Sequence, residues 1–411
     1  MLKTVAGARL RLARARWALS GARILQGAGL LRLAHPVATL RDGQELRRWG
    51  PLAGTVRIAA RRWPDALGVV DDRGALTLGE LDGRSNALAW AWRGQGVRQD
   101  SAVGVLCRNH RGLLDAVVAA GKLGAQVVLL DTGLGASELV EAVHHEGVTA
   151  LVYDDDFAHL IRALPDRVSR FVAWVGDGHD AVTLDELIAA APPHELPQPA
   201  EPGGLVMLAP ARRGVSRGVP WRADPAHVAA RFLDRVPLRS GDATLVAAPL
   251  WHVAGLLPCV VALALGAPVV LCRHAEPAAI QEALARHGCT VLAARPQQLP
   301  VLTGAVRAVL SCGAPDPAVA AGFGDVLYAW YGTPASPVLA VATPEDWQAA
   351  PGTVGRAVFG CRLAVLGPDG RPAGTGQVGR VHVVDLLEGA EVRSSGHLGR
   401  VDASGRLVLV E

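Results

Sequence analysis

"LVMLAPARRGVSRGVPW", residues 205–221, sends a hydrophobic run, Leu205 to Leu208, into a short loop that closes on Arg217 and Gly218. A strand feeding a glycine-containing loop is a layout that gathers backbone amides around a phosphate, with a nearby cation to neutralise it. This loop has almost no hydroxyls and is crowded with Arg212, Arg213 and Arg217. The Walker pattern is absent. Taken alone, the stretch reads equally as a plain connection between strands, so the chain on either side has to decide.

That chain has 411 residues, half of them hydrophobic, with 47 Gly and 27 Pro. It is too long for one typical core, so two or more domains or subdomains are expected. Phe and Tyr number only five and three, so the core must be aliphatic. Six cysteines are scattered without a CxxC pair, which reads as reduced, mostly buried thiols with no zinc signature. Net charge is +3, unevenly spread: residues 1–48 hold ten basic and two acidic residues, so the basic character belongs to an arm. The body is net acidic, and no nucleic-acid partner is expected. No run of about 18 uncharged apolar residues exists, and arginines interrupt the N-terminus, so neither a membrane span nor a secretory signal is read. A cytoplasmic protein is expected.

In the arm, 1–48, Leu10, Trp17, Ile24 and Leu31 stand seven apart, edged by Arg9, Arg16 and Arg23. On a helix this is a narrow apolar stripe. It fits a helix packed on the body, or one lying at a membrane surface with arginine stems along it. From 49 onward strands and helices alternate. "LGVVDD" (67–72), "SAVGVLC" (101–107), "QVVLLDT" (126–132) and "VTALVYD" (148–154) read as strands, and 76–96, 112–125 and 137–147 as helices. This predicts α/β layers with parallel strands. A Pro/Gly-rich linker, 191–204, precedes the opening stretch. Further strands are expected within 242–250, 267–272, 289–294 and 305–313. After about 356 short strands and tight turns predict a small β-rich subdomain. The expected organisation is an arm (1–48), an α/β core (49–356) and a β-rich subdomain (357–411).

"CRNHRG" (107–112), "LLDTGLGASELVEAV" (129–143), "AAPLWHVAGL" (247–256), "SCGAP" (311–315), "FGDVLYAWYGTPAS" (323–336), "GPDGRPAGTGQVGRVHV" (367–383) and "GHLGRVDASGRLVLV" (396–410) follow in that order. As an ordered set they resemble the adenylate-forming, AMP-binding acyl-CoA synthetases, particularly bacterial fatty-acyl-CoA ligases, over roughly 49–411. The resemblance implies the large N-terminal domain of such enzymes, and activation of a fatty acid or other carboxylate by ATP to an acyl-adenylate, from which a thiol takes the acyl group.

Carried over position by position, the family's loop T-S-G-T-T-G-T-P-K-G falls on 209–218. There Gly214 and Gly218 match, Arg217 replaces lysine, and the hydroxyl-rich part is gone. An arginine fork is not equivalent to an ammonium. In the family's Y-G-x-T-E, Tyr331, Gly332 and Thr333 are followed by Pro334 where a phosphate-binding threonine stands. Ala335 takes the place of the magnesium glutamate. A methyl cannot ligate a hard cation. Asp316 and Glu345 are nearby acids that nothing in the sequence places at that site. In S-T-G-D-x-G the ribose-binding aspartate is His397. Gly313 and Ala314 fall in the adenine cleft, and Trp251, His252 and Gly255 border the acyl pocket. The chain ends at Glu411, about where relatives carry a small C-terminal catalytic domain, so that domain is expected to be absent.

The resemblance thus implies an ATP or AMP ligand, with nucleotide contacts from Gly214, Arg217, Gly218, Gly313, Ala314, Tyr331, Gly332 and Thr333. No metal ligand is assigned, and the substitutions weaken the expectation of magnesium and of coenzyme A. Two functions follow: a divergent fatty-acyl ligase with weakened or lost adenylation, or a non-catalytic relative that binds an acyl chain, a nucleotide or a partner protein.

Overall fold

The computed structural model describes residues 16–176, 182–209, 217–299, 306–333, 335–387 and 392–410. The chain forms two compact units: a larger one, Ala34–Arg222 with Arg239–Ala293, and a smaller one, the residues up to Leu33 with Ala223–Leu238 and Ala294–Glu411.

In the larger unit, short runs of Val, Leu and Ala with nothing polar between them make buried strands, which parallel pairing covered by helices requires. One sheet has the order Ser169–Trp174, Ala150–Asp154, Ala102–Leu106, Gln126–Leu129, Leu205–Ala209, Arg217–Pro220. Its first five strands are parallel and the last is antiparallel. Leu106, Val128, Leu151 and Val206 pack on Leu139 and Val143 of the helix Ala136–His145. A second set of strands runs Gly74–Thr77, Leu67–Asp71, Val269–Leu271, Thr244–Val246, Val291–Ala294, parallel except for the first hairpin.

The helix expected over 76–96 spans Leu78–Gly94. Leu76 and Thr77 belong to the strand before it, because Thr77 and Glu80 form a capping box that starts the helix one residue later. The strand expected over 126–132 stops at Leu129, and Asp131 turns the chain by accepting from Gly133 N at 2.7 Å. The strand Arg217–Pro220 is an element that the sequence reading did not anticipate.

The smaller unit carries the strands Cys361–Leu366, Gly379–Asp385, Val392–Val401, Arg406–Val410, Gly355–Ala357, Ser336–Ala342, Leu327–Thr333 and Ala308–Cys312 in sheet order. All pair antiparallel except the last two. The boundary expected at 356/357 falls inside the strand Gly355–Ala357, which pairs with strands on both sides. A Cβ on Gly355 would stand 2.0 Å from Val341 O, so the backbones meet there without a gap.

The arm is helical over 16–27, and a second helix, Pro36–Arg62, runs across the expected boundary at 48/49. It breaks instead at Gly50, whose φ of 77° and ψ of 174° are not helical, and Pro51 restarts it. Trp17, Ile24 and Leu31 are half-buried while Arg16 and Arg23 are exposed, and Gly21 lies buried beside Phe359 and Ala230. The stripe therefore faces protein, as the packing reading expects; Leu10 lies outside the described residues. Among the described residues no helix is long and apolar enough to cross a membrane.

Candidate functional site

The opening stretch is a hairpin. Leu205–Ala209 pairs with Arg217–Pro220, with Leu208 opposite Gly218 and Ala209 opposite Arg217. The loop tip, 210–216, with Gly214, Arg212 and Arg213, lies outside the described residues. Arg217 is exposed at the start of the return strand. Gly218 N donates to Glu146 Oε1 at 2.9 Å, and a Cβ there would stand 2.4 Å from Glu146 Oε2 and from Val206 Cγ1. The side chains of Glu146 and Val206 thus fill the space that a Cβ on Gly218 would take. Glu146 was not singled out in the sequence; its carboxylate at the foot of the loop opposes an anion at that end.

The adenine and ribose positions belong to the smaller unit. Gly313 has φ +92°, its N–H donates to Trp330 O at 2.8 Å, and Ser311 Oγ donates to its carbonyl at 3.0 Å. Ala314 beside it is half-buried. Tyr331 and His397, 66 residues apart in the chain, meet: the Tyr331 hydroxyl lies 2.9 Å from His397 Nδ1, with the rings edge-on at 5.6 Å. Tyr331 is only 4% exposed, and burial pushes its phenol up. Gly332 is required sterically, since a Cβ would stand 2.0 Å from Pro337 O. Thr333 Oγ1 accepts from Ser336 N at 3.2 Å and closes the turn on which Ala335 is exposed. Pro334 lies outside the described residues.

Among the described residues, the two acids weighed for the place of the glutamate at Ala335 have other partners. Asp316 caps the short helix Pro317–Ala320, accepting from Ala318 N at 2.8 Å. Glu345 is held below its ordinary value by a hydrogen bond from Thr343. The described residues here do not fit a magnesium ion.

The acyl positions belong to the larger unit. His252 caps the helix Val253–Ala264, its Nδ1 accepting from Ala254 N at 3.1 Å. Trp251 Nε1 donates to Thr132 Oγ1 at 3.2 Å, and its ring stands edge-on to His252 at 5.9 Å. Gly255 packs under the preceding turn; a Cβ would stand 2.3 Å from Ala248 O and 2.5 Å from Pro249 O. That turn is clamped by Asn109, whose amide nitrogen donates to Val246 O (3.1 Å) and Ala248 O (2.8 Å) and whose oxygen accepts from Leu250 N (2.8 Å). Asn109 lies within "CRNHRG" but was not picked out. A buried asparagine just after a wholly apolar strand was the available signal, since such a group has to find partners.

Beside it, Cys107, His110 and Asp154 are wholly buried, with ligand-type atoms within 4.8 Å of one another. His110 Nδ1 accepts from Gly112 N at 3.1 Å, so the ring proton sits on Nε2 and donates to Asp154 Oδ1 at 2.7 Å. Asp154 Oδ2 accepts from Arg108 N at 2.9 Å. Burial, with Asp154 adjacent, pushes the Cys107 thiol well above its ordinary value. A protonated thiol and an already satisfied carboxylate make this a lock between strand ends, and only as a thiolate could Cys107 hold a metal.

Residues 56–384 match the family described as AMP-binding enzyme. A feruloyl-CoA synthase from Amycolatopsis sp. is 29% identical over 373 residues, covering 85% of this chain and 72% of that protein. A medium/long-chain-fatty-acid–CoA/3-oxocholest-4-en-26-oate–CoA ligase from Mycobacterium tuberculosis is 28% identical over 169 residues, 39% of this chain and 31% of that one. The N-terminal domain of FACL13 from Mycobacterium tuberculosis superposes with a TM-score of 0.75 at 20% identity, covering 88% of this chain and 99% of that domain. With the ordered motifs placed on this α/β frame, the chain belongs to the AMP-binding enzyme family, that of the adenylate-forming acyl- and aryl-CoA ligases.

Proposed function

We propose that this protein is a carboxylate-binding, acyl-CoA synthetase-like member of its family in which adenylation is weak or lost. The family binds ATP or AMP, and the relatives above are CoA ligases of carboxylic acids. The acid meant here is a fatty acid or a comparably apolar carboxylate, held beside Trp251, His252 and Gly255. One observation carries the reading. Tyr331 and His397, at the adenine and ribose positions, are engaged with each other, and Tyr331 is 4% exposed, leaving little ring face for a base. Ala335 supplies no carboxylate alongside. If the missing metal and ribose contacts each cost about 3 kcal/mol in the transition state, adenylation falls by roughly 10⁴. Nucleotide contacts from Gly214, Arg217, Gly218, Gly313, Ala314, Gly332 and Thr333 would then serve binding at most, and a role for magnesium is weakened by Ala335.

Acid-dependent ATP–pyrophosphate exchange tests this without needing the thiol step. No exchange above background is expected with long-chain or aromatic acids, and robust exchange with either overturns the reading. A second reading, adenylation by an intact mechanism, is favoured only by the extent of the family match. We further propose a cytoplasmic protein whose basic arm, 1–48, meets a membrane surface.

A further inference from the structure

We infer that one face of the first half of the helix Pro36–Arg62, carrying Val37, Leu40, Arg41, Arg47 and Arg48, docks on an anionic lipid surface. This rests on the membrane reading of the arm and moves the contact away from the stripe of Trp17, Ile24 and Leu31, which faces protein.

The break at Gly50 turns one helix into a hairpin. The second half folds back so closely that a Cβ on Gly54 would stand 2.9 Å from Leu46 Cα and 3.0 Å from Glu45 O. Both acids of the first half point into this seam. Asp42 is bound by Arg61 and Arg62, and Glu45 by Arg57 at 2.9 Å and Arg61 at 3.8 Å. Trp49 is buried under the Arg57 guanidinium at 4.2 Å. The acids are therefore neutralised inside, by arginines of the second half.

What remains outside is one-sided. Val37, Leu40, Arg41, Gln44, Arg47 and Arg48 recur at spacings of three and four, which places them on one helix face, and all are exposed. Val37 is 79% exposed and Leu40 69%. The face thus pairs exposed aliphatic side chains at one end with three guanidiniums, and both carboxylates of this half of the helix lie in the seam instead. A hollow of about 480 Å³ beside Val37 is lined by His35, Arg41 and Arg61. Its size and the Arg41 guanidinium suit a phosphate headgroup, with Ala34, Pro36 and Val37 beside it for the apolar part of a lipid, while Arg61 is held by Asp42 and Glu45. Charge complementarity names the occupant: apolar side chains enter the acyl boundary while arginines stay at the phosphates.

The test is sedimentation of the full chain with phosphatidylcholine vesicles with and without phosphatidylglycerol, at low and physiological salt. Binding only to anionic vesicles, weakened by salt, is expected. Replacing Arg41, Arg47 and Arg48 by Gln should lower the partition coefficient on the order of 100-fold, from about a fivefold loss per cation. Val37→Ser with Leu40→Ser should lower it on the order of tenfold. Both variants change exposed side chains, so circular dichroism and melting should stay as in the parent. Replacing Arg16 and Arg23 by Gln should have the smaller effect. If the triple variant binds like the parent, this face is refuted while the arm reading stands. If the parent itself ignores anionic vesicles, both fall.

Discussion

Gly255→Ala separates two accounts of the same residue. As pocket lining, a methyl added there would alter ligand binding and leave folding alone. The packing says otherwise. The new Cβ would stand 2.3 Å from Ala248 O and 2.5 Å from Pro249 O, backbone atoms that have no rotamer to yield. Restoring ordinary contact needs a shift of about 1 Å, and Ala248 is not free to move, since Asn109 holds its carbonyl at 2.8 Å and the Leu250 N–H at 2.8 Å. Overpacking of this kind costs up to about 3 kcal/mol. Alanine returns about 1 kcal/mol through better helix propensity in Val253–Ala264. The net loss is about 2 kcal/mol, a fall in melting temperature of roughly 4–8 °C for a unit of this size. Thermal unfolding followed by circular dichroism measures it. A variant melting within about 1 °C of the parent would refute the steric account and return Gly255 to the pocket.

Lys122 is wholly buried, held by Asp82 Oδ1 (2.7 Å), Asp82 O (2.9 Å), Ser85 Oγ (2.8 Å) and Asn86 Oδ1 (2.6 Å), yet burial lowers its pKa to about 8 from 10.5. Between those values the unfolded chain keeps a proton that the folded one has lost, so stability gains up to about 1.4 kcal/mol per pH unit from this group, and below the lower value the cost of the buried charge is complete. Urea midpoints from about pH 8 to pH 10 should therefore move in the parent's favour relative to Lys122→Met; parallel curves count against it. Arg231 grips Asp385 at 2.7 and 2.8 Å and is 2% exposed, so Arg231→Met should cost about 3 kcal/mol, read as earlier urea unfolding of the smaller unit, and a loss below about 1 kcal/mol would contradict a buried pair. Ala335→Glu combined with His397→Asp should raise pyrophosphate exchange from background to a measurable level, whereas an unchanged double variant would place the defect in the loop instead.

Whereas the edge strand Ser169–Trp174, which opens on an exposed Ser169 and Arg170, was not anticipated, central parallel strands were legible because burial on both faces leaves no polar residue inside them: Ala102–Leu106 and Val269–Leu271 sit within the apolar runs that name them. Their ends were less so, since apolar character outlasts the ladder, as at Leu130. The return strand Arg217–Pro220 hid behind a glycine, a proline and an arginine, residues that read as loop. Of the site, the motif order gave positions but not neighbours. Nothing in the chain announces that Tyr331 and His397 touch, that Glu146 reaches Gly218, or that Asp154 closes on His110 from 44 residues away. Each joins single residues from separate elements, which periodicity does not encode.

Which motif residues match the family and which depart from it follows the same physics. Gly218, Gly255 and Gly332 match; at Gly255 and Gly332 a Cβ would come within 2.0–2.3 Å of a backbone oxygen, so folding alone demands glycine, and at Gly218 it would meet the side chains of Glu146 and Val206 at 2.4 Å. Ala335 and His397 depart, and both are exposed, so exchanging them costs the core little. A motif can therefore remain recognisable through its glycines while the side chains that would touch nucleotide and metal change. For that reason the expectation for activity rests on Tyr331, His397 and Ala335, which the family resemblance sets against the ligand, rather than on the surviving glycines, which let the chain turn.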